Sequence, residues 1–204
     1  MALRTRQHVL NAIAILTTAL LDSGARAIAA KEQEFFPPEV VDSVWWRDLP
    51  VSETPLWLPD GLAGNASRIR LSISGIVRVR LVIRVDERTD GKFVGRAILL
   101  KLGPSGRKQK TISRIFRISA ADMAEFHEQT SSAKLWELYP EHWLSSDGND
   151  ICIDGEQLVF ERVDERGYRF SEMNAQCAAP RGAINAARFL LDKAGMREFH
   201  WLLQ

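Results

Sequence analysis

The chain has 204 residues, 46% hydrophobic and 26% charged, with a formal net charge of +1 and two cysteines. That apolar content excludes an intrinsically disordered chain, and the near-neutral total excludes a uniformly basic nucleic-acid binder. Two cysteines are too few for a disulfide-dense scaffold, and the longest apolar stretch falls short of the about 20 residues a membrane span needs.

Residues 1–30 read as a secretory signal: a basic start at Arg4 and Arg6, a mostly apolar run from Val9 to Leu21, and small residues around Ala25, Ala27 and Ala29 where a signal peptidase cuts. The alternative is an amphipathic N-terminal helix of a cytosolic protein, which Asp22 and Arg26 keep open. Removal of the signal leaves residues 31–204, enough for one domain with its own core and without a transmembrane span. Within it, residues 31–65 are rich in proline and tryptophan (Pro37, Pro38, Trp45, Trp46, Trp57, Pro59) and are expected to wrap irregularly along a sheet, burying aromatics on the way.

The net charge conceals a separation along the chain. Residues 66–118 carry 14 Lys and Arg against 3 Asp and Glu, whereas residues 31–65 carry 2 against 7 and residues 119–204 carry 8 against 15. The basic third is also the clearest β region. Ile69, Leu71 and Ile73 alternate with Arg68, Arg70 and Ser72, and Val77, Val79, Leu81, Ile83 and Val85 alternate with Arg78, Arg80, Val82 and Arg84. Period-two alternation puts the apolar side chains on one face and a row of arginines on the other. Thr89-Asp90-Gly91 marks a hairpin turn before a strand from Phe93 to Leu102, and Gly103-Pro104-Ser105-Gly106 turns into a strand from Lys110 to Ile118. Arg68, Arg70, Arg78, Arg80 and Arg84 form a candidate anion-binding face. The competing reading is that they pair with the acidic flanks inside the fold or lie solvated on the strands.

Ser119 and Asp122 announce a helix with a capping box, running to about Thr130 with Met123, Phe126 and Thr130 inward. Residues 141–150 read as a loop. Residues 152–177 read as a hairpin with its turn at Asp164-Glu165-Arg166-Gly167. If Val163 faces Tyr168, Cys177 falls opposite Asp154, two residues from Cys152, so a Cys152–Cys177 disulfide is sterically feasible and would contribute roughly 3–4 kcal/mol. Pro180 opens a last helix with the stripe Ile184, Ala187, Leu190, Leu191 and Ala194, ended by Gly195; Met196 to Gln204 is expected as a docked strand or tail.

The order Leu135-Trp136-Glu137-Leu138-Tyr139-Pro140, Asp154-Gly155, an apolar run ending in Glu161, Gly167-Tyr168 and a closing amphipathic helix resembles a loose group of small exported bacterial proteins of unknown function, over roughly residues 115–195. The resemblance implies export and an α+β layout, and no activity.

No catalytic motif stands out. There is no nucleophile elbow, phosphate loop or dinucleotide fingerprint, and no histidine pair has metal-ligand spacing, so no cofactor or metal is expected. A carboxylate pair at Asp154 and Glu156 could serve glycan hydrolysis, while Glu161 is expected to be buried against an arginine of the basic sheet. The sequence therefore predicts one α+β domain, an antiparallel sheet of about five to seven strands on two main helices. It is read as a non-enzymatic periplasmic or secreted binding or inhibitor protein whose partner is an envelope protein, an anionic glycan or a lipid headgroup. The alternatives are a small envelope glycan hydrolase and a cytosolic polyanion binder with reduced thiols. The scarcity of aromatics in the basic third, Phe93 and Phe116 alone, disfavours nucleic acid.

Overall fold

The computed structural model describes residues 53, 55–58, 60–75, 79–103, 108–137, 155–176 and 179–204. The two cysteines, Arg78, Asp154, His142 and residues 1–50 lie outside them. The described residues all belong to one compact unit, Ser43–Gln204.

Six strands form a single antiparallel sheet: β1 (Ser67–Ser74), β2 (Val79–Glu87), β3 (Phe93–Leu102), β4 (Lys108–Ile118), β5 (Gln157–Asp164) and β6 (Gly167–Asn174). The spatial order is β4-β3-β2-β1-β5-β6, so a four-strand meander is followed by a return that seats β5 on the far side of β1. This is the expected α+β architecture. The hairpin of β5 and β6 has the predicted register, Val163 opposite Tyr168. That register sorts the hairpin's aromatics onto two faces. Leu158 and Phe160 share one with Ser171 and Met173, whereas Tyr168 and Phe170 share the other with Val163 and Glu161.

The first face carries the core. Ile69, Leu71 and Ile73 of β1, Leu81, Ile83 and Val85 of β2, Ala97 and Leu99 of β3 and Leu158 and Phe160 of β5 pack against two helices, α1 (Ala120–Ser132) and α2 (Arg181–Lys193). α1 starts as its sequence dictates: the Ser119 hydroxyl accepts from the Asp122 amide at 3.1 Å, and the Asp122 carboxylate accepts from the Ser119 amide at 3.0 Å. Its buried residues are Met123, Phe126 and Thr130. α2 buries Ala183, Ala186, Ala187, Phe189, Leu190 and Leu191, and the Phe189 and Phe126 rings meet across the helix pair at 6.3 Å. Gly195, at φ +64°, closes α2: its amide donates to Asp192 and the Met196 amide to Leu191. The C-terminal segment is docked as expected, but as a 3-10 helix and not a strand. Residues Arg197–Leu203 form this helix, because Leu202 and Leu203, adjacent in sequence, are both buried while Trp201 stays 47% exposed, an arrangement a strand cannot give.

Gly95 of β3 pairs with Phe116 of β4, whose ring lies where a β-carbon would be. An aromatic laid over a strand glycine supplies the packing the glycine lacks. Gly95→Ala should therefore displace the ring, cost about 1–3 kcal/mol and lower the thermal midpoint by several degrees. An unchanged midpoint in a thermal melt would show that the ring moves aside freely.

Candidate functional site

β1 is buried along nearly its whole length, on both faces. A strand in that position is ordinarily apolar throughout, yet Arg68 and Arg70 occupy it. A guanidinium held away from water requires a carboxylate, and the register supplies one. Arg70 stands opposite Glu161 on β5 and Arg84 on β2; Arg68 stands opposite Val163 and Asp86.

Arg70 and Glu161 are both 0% exposed. The guanidinium grips the carboxylate with two donors, Nε to Oε2 and Nη2 to Oε1, the latter at 2.7 Å. The Tyr168 hydroxyl donates to the same Oε1 at 3.0 Å. Glu53, from the segment before β1, reaches within 4.0 Å of Arg70 and accepts two bonds from Arg84 Nη1 at 2.8 and 2.9 Å. Asp86 joins Arg84 at 3.0 Å to Arg68 at 2.8 Å, and Arg68 also donates to the Gly61 carbonyl at 2.7 Å. Three arginines are thus matched by three carboxylates. Trp57 covers this end, its ring set edge-on to Tyr168 at 6.0 Å, with Leu56 buried beside it.

The electrostatics follow from this enclosure. Burial alone would weaken the charge on Arg70, but the attraction and hydrogen bond of Glu161 outweigh it and the guanidinium pKa is raised. Burial, then the Glu161 charge, push the Tyr168 phenol well above its usual value.

The candidate residues therefore divide. Arg68, Arg70 and Arg84 are brought together, but onto carboxylates of the chain itself, and Arg80 is half-buried further along β2. Arg78 lies outside the described residues, as do Cys152, Cys177 and Asp154; Glu156 is buried. The Arg–Glu161 pairing was legible in the sequence. The part of Glu53 was not, since only the path before β1 brings it over the arginines; that of Tyr168 was implicit in the predicted hairpin register, which puts it on the face of Glu161.

The cations left open lie elsewhere in the basic third. Residues 88–117 hold nine Lys and Arg and a single carboxylate, Asp90. Lys101, Lys110 and Arg117 are exposed on β3 and β4, Arg114 is exposed but bound to the Gly195 carbonyl and 3.9 Å from Glu198, and Arg96 is half-buried beside them. Arg88, Lys92 and Arg117 line a groove of about 500 Å³ between the β2–β3 turn and the start of α1, with Phe93 in its wall. Asp90 engages Lys92 at 2.9 Å and Arg88 at 3.8 Å, both well exposed, so these pairs are weak.

Among the described residues the histidines form no site. His127 is half-buried on α1, its pKa lowered by burial and then by the Arg162 charge, and His200 meets Asp192 at 3.0 Å. Among the described residues no cluster of His, Cys, Asp and Glu is placed to hold a metal ion, and no helix is long and apolar enough to cross a membrane. No protein-family model matches the chain, and comparison with curated proteins finds no significant relative.

Two predictions follow from the buried charges. Removing one partner leaves the other charge buried, so Arg70→Met or Glu161→Leu alone should each lower unfolding stability by about 3–5 kcal/mol, and the double variant should recover much of it. Additive losses in urea titrations would contradict the pairing. The second concerns Glu172, 4% exposed, whose carboxylate accepts from Gln157 and whose pKa is raised by burial to about 7. The unfolded chain returns this group to about 4.5. Between those values the folded chain holds a proton that the unfolded chain has lost, so its contribution to stability is full below the lower value and is lost as pH rises through the upper one. Glu172→Gln should then raise stability at pH 8 by up to about 3 kcal/mol and flatten the decline between pH 5 and 8. A variant that declines like the parent would contradict this.

Proposed function

We propose that the protein is a non-catalytic binding protein whose cationic outer strands, β3 and β4 with the adjoining groove, dock an acidic protein partner. The observation that carries the reading is the division of the basic third. The inner arginines are neutralised within the fold, whereas residues 88–117 hold nine Lys and Arg against one carboxylate of their own, with Arg114 also reaching Glu198 at 3.9 Å. An uncompensated field of one sign on an exposed strand pair steers and orients a partner of the opposite sign. An acidic polypeptide suits the surface better than nucleic acid, because no aromatic on β3 or β4 is fully exposed to stack a base. A glycan hydrolase would need Glu156 to act from a buried position.

The same proposal puts the protein in the periplasm or outside the cell, supported by the basic, then apolar, start of the sequence and the likeness to small exported proteins.

Polyglutamate serves as the probe. Wild-type protein should bind it with an affinity that falls steeply as salt rises. Arg96→Glu combined with Arg117→Glu should weaken binding at least tenfold while leaving the melting temperature within about 2 °C, since neither residue makes an ion pair among the described residues. Binding unaffected by the double reversal, or insensitive to salt, would overturn the proposal.

A further inference from the structure

We infer that β4 is an open edge onto which the acidic partner adds an extended strand, an inference that rests on the cationic-surface reading above and specifies how the partner is held. β4 is an outer strand, and its eleven residues make it the longest of the sheet. β3 is its one strand neighbour among the described residues, so on alternate residues the backbone amides and carbonyls of β4 are directed away from the sheet.

The two outer strands differ. β6 is buried from Phe170 to Asn174, whereas β4 exposes Thr111, Ser113, Arg114, Ile115 and Arg117. Ile115 is 78% exposed, more than any other large hydrophobic side chain described. It stands in the row of Arg96 and is followed two residues on by Arg117. An apolar anchor flanked by arginines on an unpaired strand is complementary to a strand that alternates β-branched and acidic residues. The strand is also held firmly enough to act as a template. Arg114 donates to the Gly195 carbonyl at the end of α2 and lies 3.9 Å from Glu198, which ties β4 to the C-terminal 3-10 helix.

The charges also select among occupants. Basic residues on an edge strand guard it against its own kind, because two copies of β4 laid side by side would bring Lys110, Arg114 and Arg117 against like charges. The same residues favour an acidic strand. A second copy of this chain is therefore the disfavoured occupant, and an acidic segment of another protein the favoured one.

Two capped octapeptides with four glutamates each distinguish the outcomes, one alternating valine with glutamate and the other glycine with glutamate. The valine peptide should bind at least tenfold more tightly, slow amide hydrogen exchange within residues 111–117, and lose at least tenfold in affinity in the Ile115→Ser variant, whose melting temperature should match the parent. If both peptides bind equally and exchange on β4 is unchanged, the cationic surface stands and strand addition is wrong. If neither binds, the cationic reading fails and this inference fails with it.

Discussion

Arg70 and Glu161 meet where neither side chain touches solvent, and the rest of the sheet is arranged to make that contact tolerable. Taking a guanidinium and a carboxylate out of water costs several kcal/mol for each, repaid only if the geometry is good and the remaining donors and acceptors are filled. Glu161 is gripped by two guanidinium nitrogens and by the Tyr168 hydroxyl, and Glu53 lies close to the far side of Arg70 while satisfying Arg84. The contact also fixes topology. Glu161 can reach Arg70 only if β5 returns beside β1, and a slip of one residue would turn Glu161 into the apolar core and Phe160 onto the arginines. The pair therefore specifies register as much as it stabilises.

With that pair in place, both faces of the central strands are occupied, for different reasons. One face is apolar and packs on α1 and α2; the other is a charge-neutral lattice closed at one end by Leu56, Trp57 and Glu53. Towards β4 the lattice runs out of carboxylates. Arg96 stands directly beside Arg84 in the row that begins at Glu161, and beyond it comes exposed Ile115. The step from compensated to less compensated cations across a single sheet is the physical basis for the proposal that the inner arginines serve folding and the outer ones partner contact.

Much of this was readable from residue order. The strands of the basic third, the capping box of α1 and the hairpin register follow from alternation, a Ser-to-Asp spacing and a Gly167 turn, all local signals. The pairing of Glu161 with a sheet arginine was legible because burial of a strand glutamate demands a cation. Which arginines stay open was not legible, since Arg70 and Arg96 look alike in sequence and differ only in whether the strand beside them carries an acid. The C-terminal 3-10 helix escaped for a related reason: Leu202 and Leu203 are buried together by contact with α2 and its surroundings, which no short-range pattern encodes.

The division of the arginines can be tested on the protein itself, without a partner. Brief treatment of the folded chain with an arginine-specific dicarbonyl, followed by peptide mass spectrometry, reads the accessibility of each guanidinium separately. The account predicts rapid modification of Arg117 and protection of Arg68, Arg70 and Arg84 until the chain is unfolded. Modification of Arg70 or Arg84 as fast as Arg117 would mean that the inner row is open to solvent, and the separation of folding charges from binding charges would be wrong.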